Sequence, residues 1–331
     1  MVTETNSKTF KYALLICCGL IAFYSLLYSS ASTPIVGGKD WVDAFRQGAK
    51  GDLRLVVTPY WSLFLSYLPS RLPDPLGYSL WIGIGALLTL IAAHYFRSPL
   101  LAVLISYQLN WVLFYGQIDG FVAFGIALGA FALERNRPFL LGLSISLLLI
   151  KPQVGLLLSL HFLWRSPHRL KTALAFLLPV AASIVLWPPR PEVYLITHMD
   201  DFIQRPNNII TNTSLRLPMW LVLPIAALAL LLPNVPKKKI QSLVAANLLI
   251  SPYSTIYSQL SLLCVGLPLP LYIFGIIPWA VAIILGPFGH WQWASLFPLL
   301  VLTFNFFTLL RNSRRVNSSA LTTAPKKDVN P

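Results

Sequence analysis

Two carboxylates stand beside aromatic residues just after the first long apolar run of the chain. Asp40 and Asp43 lie in the segment 37–45, which reads GGKDWVDAF. A carboxylate held against apolar surroundings has its pKa raised by desolvation, and a raised pKa suits a general base. Solvated loop carboxylates would show the same residue types. Asp40 and Asp43 are therefore candidate catalytic bases, with a plain loop role as the alternative.

Other polar side chains interrupt apolar runs further along the chain. Gln117 and Asp119 directly precede one run, and Lys151 and Gln153 flank Pro152 in another. A polar group in such surroundings costs free energy unless a partner satisfies it. Helix capping would explain the first pair, and a lysine that extends to the interface would explain Lys151. The functional alternative is that these side chains bind a substrate, with Lys151 binding a lipid phosphate.

A second proline break repeats part of this pattern about a hundred residues later. The stretch 248–253, LLISPY, resembles 148–153, LLIKPQ, and it makes Tyr253 a further candidate for substrate binding. Discontinuous helices in membrane transporters line cavities in this way. One echo does not establish an internal repeat.

The composition indicates a protein that crosses a membrane many times. Of 331 residues, 56% are hydrophobic and 11% are charged, far below the roughly 25% of charged residues in soluble domains. At about 20 apolar residues per crossing, the chain has room for roughly ten crossings and for no sizeable soluble domain. The predicted fold is an all-α transmembrane bundle of about 8–12 membrane helices, some of them short or broken.

The same sequence excludes several classes of function. The three cysteines all lie in apolar runs, which argues against a disulfide framework and a Cys/His metal site. No cofactor is expected. The net charge of +14 comes from short basic clusters between apolar runs. Such clusters mark the cytoplasmic loops of a membrane protein and do not indicate nucleic-acid binding. Asp-x-Asp, Walker A, Gly-x-Ser-x-Gly and His-Glu-x-x-His motifs are absent from the sequence.

The basic clusters predict cytoplasmic N- and C-termini. With external loops at about 32–75 and 188–217, sixteen Lys and Arg residues fall inside and nine outside or at outer depth. The run after Pro138 is broken at Pro152, so 139–150 and 152–164 are expected to be half-helices. Residues 240–310 must cross an even number of times, as two spans with a re-entrant pair or as four short spans. Residues 1–311 would form one domain and 312–331 a disordered tail.

The first apolar run allows a second interpretation. Residues 30–32, Ser-Ala-Ser, resemble a signal-peptide cleavage site. The run is long for a signal peptide and rich in aromatic residues, which favours a retained helix.

The acidic residues are concentrated on the predicted external side. Eight of the eleven fall there, although acidic residues contribute little to membrane orientation. Orientation therefore does not explain why the acidic residues collect on this side. The simplest explanation is that the chemistry takes place on the external face.

At these motifs the chain resembles the polyprenol-phosphate-sugar-dependent glycosyltransferases of family 87, in the GT-C superfamily of multispan enzymes. The resemblance rests on Asp40–Trp41, on 116–120 (GQIDG), on 137–143 (RPFLLGL) running into 149–153 (LIKPQ), and on 251–253 (SPY). Each motif alone is weak, and the stretch from GQ to KPQ is the most specific.

This resemblance implies an inverting, mannosyltransferase-like enzyme of the bacterial plasma membrane. Such an enzyme moves mannose or arabinofuranose from a polyprenyl-phosphate carrier to a glycolipid or polysaccharide acceptor of the cell envelope, among membrane lipids. The family acid corresponds to Asp40, with Asp43 as a rival, because this chain departs from the family pattern at Asp43–Ala44. Cations near the leaving phosphate would replace a metal, and the candidates are Lys151, Arg205, Arg216 and, more weakly, His198. Gln117, Asp119, Gln153 and Tyr253 would contact the substrates.

Two other functions fit parts of the pattern. A flippase or transporter for lipid-linked sugars would also use broken helices. A non-catalytic membrane subunit would need none of the polar motifs.

Overall fold

The protein is an all-α bundle throughout the part of the chain that the structure describes. A computed structural model describes residues 2–30, 37–53, 56, 58–188, 213, 215, 217–233, 235–285 and 291–322. Within these residues there is no β-strand, as expected for a chain whose backbone polar groups must be satisfied inside a bilayer.

Fifteen α-helices are present in the described residues, and several are short. They are α1 (Val2–Ser30), α2 (Gln47–Ala49), α3 (Leu63–Arg71), α4 (Asp74–Tyr95), α5 (Leu100–Leu104), α6 (Tyr107–Tyr115), α7 (Asp119–Glu134), α8 (Pro138–Leu148), α9 (Pro152–Arg165), α10 (Arg169–Leu186), α11 (Met219–Leu231), α12 (Pro236–Ile250), α13 (Leu260–Cys264), α14 (Ile277–Leu285) and α15 (Leu296–Thr322). A π-helix spans Trp41–Arg46, and 3₁₀ segments cover Tyr60–Ser62, Ile256–Gln259, Leu269–Gly275 and Trp291–Ser295.

Four described segments are long and apolar enough to cross a bilayer. They are Lys8–Ser30, Asp74–Tyr95, Arg169–Leu186 and Trp291–Leu309. Shorter apolar helices accompany them, including α8 and α11. The prediction of an all-α polytopic bundle is confirmed, and the number of crossings stays a prediction.

The helix break at Lys151 lies where the sequence predicted it. Helix α8 ends at Leu148, Lys151 has non-helical backbone angles (φ −123°, ψ 84°), and α9 begins at Pro152. Proline at the first position of a helix lacks only an N–H that would be unpaired there anyway. A second interruption separates α12, which ends at Ile250, from the 3₁₀ segment that begins at Ile256.

One break was not predicted. The apolar run 99–115 reads as a single helix, but the structure divides it into α5 and α6. Ser106 has extended backbone angles at the junction, and its hydroxyl oxygen accepts the Leu109 N–H at 3.2 Å. Serine favours such a cap because its hydroxyl competes with the helical pattern of backbone hydrogen bonds.

Aromatic rings pack the N-terminal parts of α4 and α7 against the π-helix. The Trp81 ring lies 5.7 Å from that of Trp41, and 4.9 Å from those of Phe45 and Phe121. Trp41 and Trp81 are fully buried. Rings of this size bury about 150–250 Å² each, so this cluster anchors the loop segment that carries Asp40.

The C-terminal helix extends into the segment for which the sequence indicates a disordered tail. Helix α15 continues to Thr322, so residues 312–322 are helical, while 323–331 lie outside the described residues. Continuing a helix that an apolar span has already nucleated costs little, which accounts for the extension into polar sequence.

Candidate active site

Asp40 lies at the N-terminal end of the π-helix, on the segment that follows α1. The backbone N–H of Gly38 donates to the carbonyl of Phe114 at 2.7 Å, which joins this segment to the end of α6. Gly38 has a φ of +69°, and a Cβ there would lie 2.5 Å from the Tyr28 ring. Only glycine fits this turn without strain.

Gln117 contacts Asp40 across the bundle. The Gln117 amide Nε2 donates a hydrogen bond to Asp40 Oδ2. Gly116, which ends α6 with a φ of +70°, makes the contact possible, because a Cβ there would lie 2.7 Å from the Cβ of Trp41. The carbonyl of Gly116 also accepts the Trp81 indole N–H at 2.7 Å.

Lys151 forms a buried ion pair with Asp119. Its Nζ lies 2.6 Å from Asp119 Oδ2 and 3.3 Å from Gln117 Oε1. The Asp119 side chain is fully buried, and its Oδ1 has no hydrogen-bond partner among the described residues. The sequence shows no acid near Lys151, and the fold supplies one from 32 residues upstream. Gln117 therefore links this ion pair to Asp40.

Tyr257 completes the cluster, and sequence analysis missed it. The Lys151 Nζ lies 4.5 Å from the centre of the Tyr257 ring, and Gln117 Nε2 lies 3.4 Å from its hydroxyl. The ring face attracts the ammonium by a cation–π interaction. Tyr257 follows the second proline break by five residues, so the echo of the two breaks was the signal that could have found it.

The two helix breaks lie side by side. The Asn247 side chain of α12 donates from Nδ2 to the carbonyl of Pro152 at 2.6 Å and accepts the Leu157 N–H at 2.8 Å. One amide thus satisfies two backbone groups of α9 near the Lys151 break. This arrangement brings the segment with Tyr257 against the segment with Lys151.

The surroundings of Asp40 act on its ionisation in both directions. The pKa of Asp40 is raised to about 6 because desolvation, helped by the Asp43 charge, outweighs the Lys151 charge, the Gln117 hydrogen bond and Lys39, which lower it. Burial is the largest of these effects. A carboxyl group with this pKa is mostly ionised at neutral pH and still binds a proton readily, as a general base must.

The structure places the remaining predicted residues at different distances from this cluster. Asp43 lies in the first turn of the π-helix, close enough to affect Asp40 electrostatically. Tyr253 is likewise close enough to Tyr257 to affect it electrostatically. Gln153, in the first turn of α9, makes no hydrogen bond to the cluster within the described residues. His198, Arg205 and Arg216 lie outside the described residues.

No group of three or more potential metal ligands occurs among the described residues. The open pocket lined by Phe131, Arg137, Pro138, Phe139 and Leu140 lies at the predicted cytoplasmic turn, away from Asp40. The cluster of Asp40, Gln117, Asp119, Lys151 and Tyr257 is therefore the candidate active site.

Comparison with known protein families matches residues 58–252 to glycosyltransferase family 87. The match includes Gln117, Asp119 and Lys151, while Asp40 and Tyr257 lie outside it. Searches of curated proteins and of solved structures found no match. Because the matched segment covers more than half of the chain, and four apolar helices accompany it, this integral membrane protein belongs to glycosyltransferase family 87.

Proposed function

We propose that this glycosyltransferase moves a sugar, mannose or arabinofuranose, from a polyprenyl-phosphate carrier to a glycolipid or polysaccharide acceptor on the external membrane face. The observation that carries the proposal is the contact between Asp40 and Gln117. It places a carboxylate of raised pKa beside a polar cluster that contains a buried lysine. A glycosyl transfer from a phosphate donor needs a base for the acceptor hydroxyl and a counter-charge near the leaving group.

Asp40 would act as the general base. Gln117 occupies Oδ2 of Asp40, which leaves Oδ1 to accept the proton of the acceptor hydroxyl. As that proton moves to Asp40, the acceptor oxygen bonds to the anomeric carbon and the bond to the carrier phosphate breaks. The sugar inverts its configuration, because attack and departure occur on opposite faces.

Lys151 would contribute positive charge on the donor side of the site. Asp119 neutralises this charge in the resting arrangement, so donor phosphate would have to share the ammonium with Asp119. The leaving polyprenyl phosphate is already anionic, and nearby cations stabilise the charge that develops on it. Arg205, Arg216 and His198, in the external segment 188–217, are proposed to supply further positive charge to the donor phosphate.

Turnover of an Asp40→Asn variant tests the proposed function. Asparagine keeps the shape of the side chain and removes the proton acceptor, so turnover should fall by about 10²–10⁴-fold with little loss of substrate binding. The measurement is transfer of radiolabelled sugar from polyprenyl-phosphate donors to a membrane-lipid extract by protein in nanodiscs.

Two further variants complete this test. Glu134→Gln removes a carboxylate at the other end of the bundle and should leave turnover unchanged. Wild-type turnover in Asp40→Asn combined with loss in Asp43→Asn would reassign the base to Asp43. Full activity in both would contradict the mechanism.

Reconstitution of the same protein into lipid vesicles distinguishes a transporter. The adjoining helix breaks at Lys151 and after Ile250 are the observation that favours this second function. A transporter would move labelled lipid-linked sugar between leaflets of a vesicle without forming a new glycosidic bond.

A further inference from the structure

We propose that Asp74 is a positioning residue for transfer, which rests on the proposed role of Asp40 as base. The Asp74 carboxylate fastens the π-helix next to Asp40 to the outer end of α1 and to the first turn of α4. Nothing in the sequence motifs marks Asp74, and it contacts neither Gln117 nor Lys151 within the described residues.

Three side chains from two other segments converge on this one carboxylate. The Tyr28 hydroxyl of α1 donates to Asp74 Oδ2 at 2.7 Å. Arg46 Nη1 lies 2.9 Å from Asp74 Oδ1, and the Trp41 indole nitrogen lies 3.4 Å from the same oxygen. All three partners are hydrogen-bond donors, so a carboxylate satisfies them and a neutral amide does not.

The positions of these partners explain why Asp74 matters for Asp40. Trp41 is the first residue of the π-helix and Arg46 is the last, so both ends of the helix are joined to one carboxylate. Trp41 directly follows Asp40 and is fully buried. The backbone of Asp40 therefore has little freedom to move while Asp74 holds Trp41 and Arg46.

The charge of Asp74 also serves Arg46. The Arg46 Nε is buried and has no hydrogen-bond partner among the described residues. Asp74 is thus the carboxylate that compensates this partly buried guanidinium. Loss of the Asp74 charge would release Arg46 towards solvent and turn the π-helix with it.

Kinetics of Asp74 variants give the first test. A displacement of about 1 Å at a reacting group can cost about 10²-fold in rate, so we expect Asp74→Ala and Asp74→Asn to lower kcat by up to this factor per folded molecule. Donor and acceptor KM should change by no more than about two-fold, since binding contacts remain. Asp74→Glu, which keeps the charge, should recover part of the lost rate.

A pair of tyrosine variants gives a matched control. Tyr28→Phe removes one hydrogen bond to Asp74 and keeps the Tyr28 ring, which stacks on Tyr78 at a centroid distance of 4.2 Å. Tyr95→Phe removes the bond from Tyr95 to Glu134, 3.0 Å long, at the opposite end of α4. We expect a lower kcat in the first variant and an unchanged kcat in the second. Equal effects, or wild-type kcat in Asp74→Asn, would overturn the proposal.

Hydrogen exchange separates this proposal from the proposed function. Amide exchange of the peptide covering residues 38–50 should become faster in Asp74→Ala and Tyr28→Phe, and should not change in Tyr95→Phe. Unchanged exchange in both Asp74→Ala and Tyr28→Phe overturns the fastening role, whatever the transfer assay shows. Wild-type turnover in Asp40→Asn would instead refute the proposed base and leave the exchange result intact.

Discussion

The ionisation of Asp40 depends on a small number of neighbours. Its pKa is raised to about 6, because burial outweighs the three neighbouring groups that lower it: Lys151, Gln117 and Lys39. The negative charge of Asp43 raises the pKa of Asp40, as burial does. Because a general base works only when ionised, the pH dependence of transfer reports directly on this balance.

We expect kcat/KM for transfer to rise with pH up to about pH 6 and to level off above it. Asp43→Asn removes a negative charge that raises the pKa of Asp40, so its acid limb should lie at lower pH. Lys39→Met removes a positive charge that lowers this pKa, so its acid limb should lie at higher pH. The measurement is a pH–rate profile from about pH 4.5 to 8 for the three proteins. Shifts of the two variants in the same direction would contradict the assignment of the limb to Asp40.

The Lys151–Asp119 pair should show strong energetic coupling. Removing one partner leaves a buried charge without compensation and typically costs about 3–5 kcal/mol, whereas replacing both by apolar residues is often neutral. Lys151→Met and Asp119→Leu should therefore each destabilise the protein, and the double variant should recover much of the loss. Thermal unfolding in detergent measures this cycle. Additive losses would show that the two charges are not a coupled pair.

Residue types alone indicated part of this site. Asp40, Gln117, Asp119 and Lys151 were identifiable because a polar residue in an apolar run needs a partner. The sequence could not show which polar residue pairs with which, since Asp119 and Lys151 belong to different helical segments. Tyr257 had only the echo of the two proline breaks as a signal and Asp74 had none, because a tyrosine in an apolar stretch and an acid in a loop are common in membrane proteins.

At the scale of elements, the turn between α6 and α7 decides where Gln117 points. Gly116 has a left-handed backbone, and Trp41 packs where its Cβ would be. The turn is thus shaped by two requirements that only glycine meets together.

Gly116→Ala should impair both stability and transfer. A left-handed alanine costs about 1–2 kcal/mol, and the added methyl group would displace Trp41 and the neighbouring Asp40. We expect a lower unfolding temperature together with a loss of kcat. Gly51→Ala is a suitable control, because Gly51 also has a positive φ (+102°) but has open space around it. Loss of kcat of the same size in the control would show that displacement of Trp41 is not the cause.

The element boundaries show what a sequence pattern can and cannot predict. Pro152 marked the α8–α9 break because proline cannot continue the hydrogen bonding of a preceding helix. The α5–α6 break carries no proline, and Ser106 is unremarkable in an apolar run. That break depends on a side-chain cap whose competition with the helix is settled only by tertiary packing.

At the scale of the whole molecule, the candidate site joins four stretches of chain around Asp40, Gln117, Lys151 and Tyr257. Composition and apolar runs suffice to predict an all-α membrane bundle, because the bilayer permits few other structures. They do not predict which stretches meet, since contacts between apolar helices depend on shape and not on hydropathy.

The orientation of the bundle can be measured directly. The split of basic residues predicts that a reporter fused after Arg311 lies in the cytoplasm and that one inserted near Asp52 lies outside. Alkaline phosphatase and fluorescent-protein fusions report the two sides. A cytoplasmic signal near Asp52 would move the site away from the external face, and an external signal after Arg311 would contradict the predicted orientation of the C-terminus.

The Lys151–Asp119 pair also bears on how the protein is made. A lone Asp or Lys costs roughly 2.5–3.5 kcal/mol at the centre of a membrane helix; Asp119 begins α7 and Lys151 directly precedes α9, so this figure is an upper bound for either charge alone. Asp119 emerges from the ribosome 32 residues before Lys151, an interval of a few seconds at about 5–20 residues per second. Helix α7 is therefore expected to wait beside the translocon until α8 and α9 arrive, so that the two charges enter the lipid together as a neutral unit.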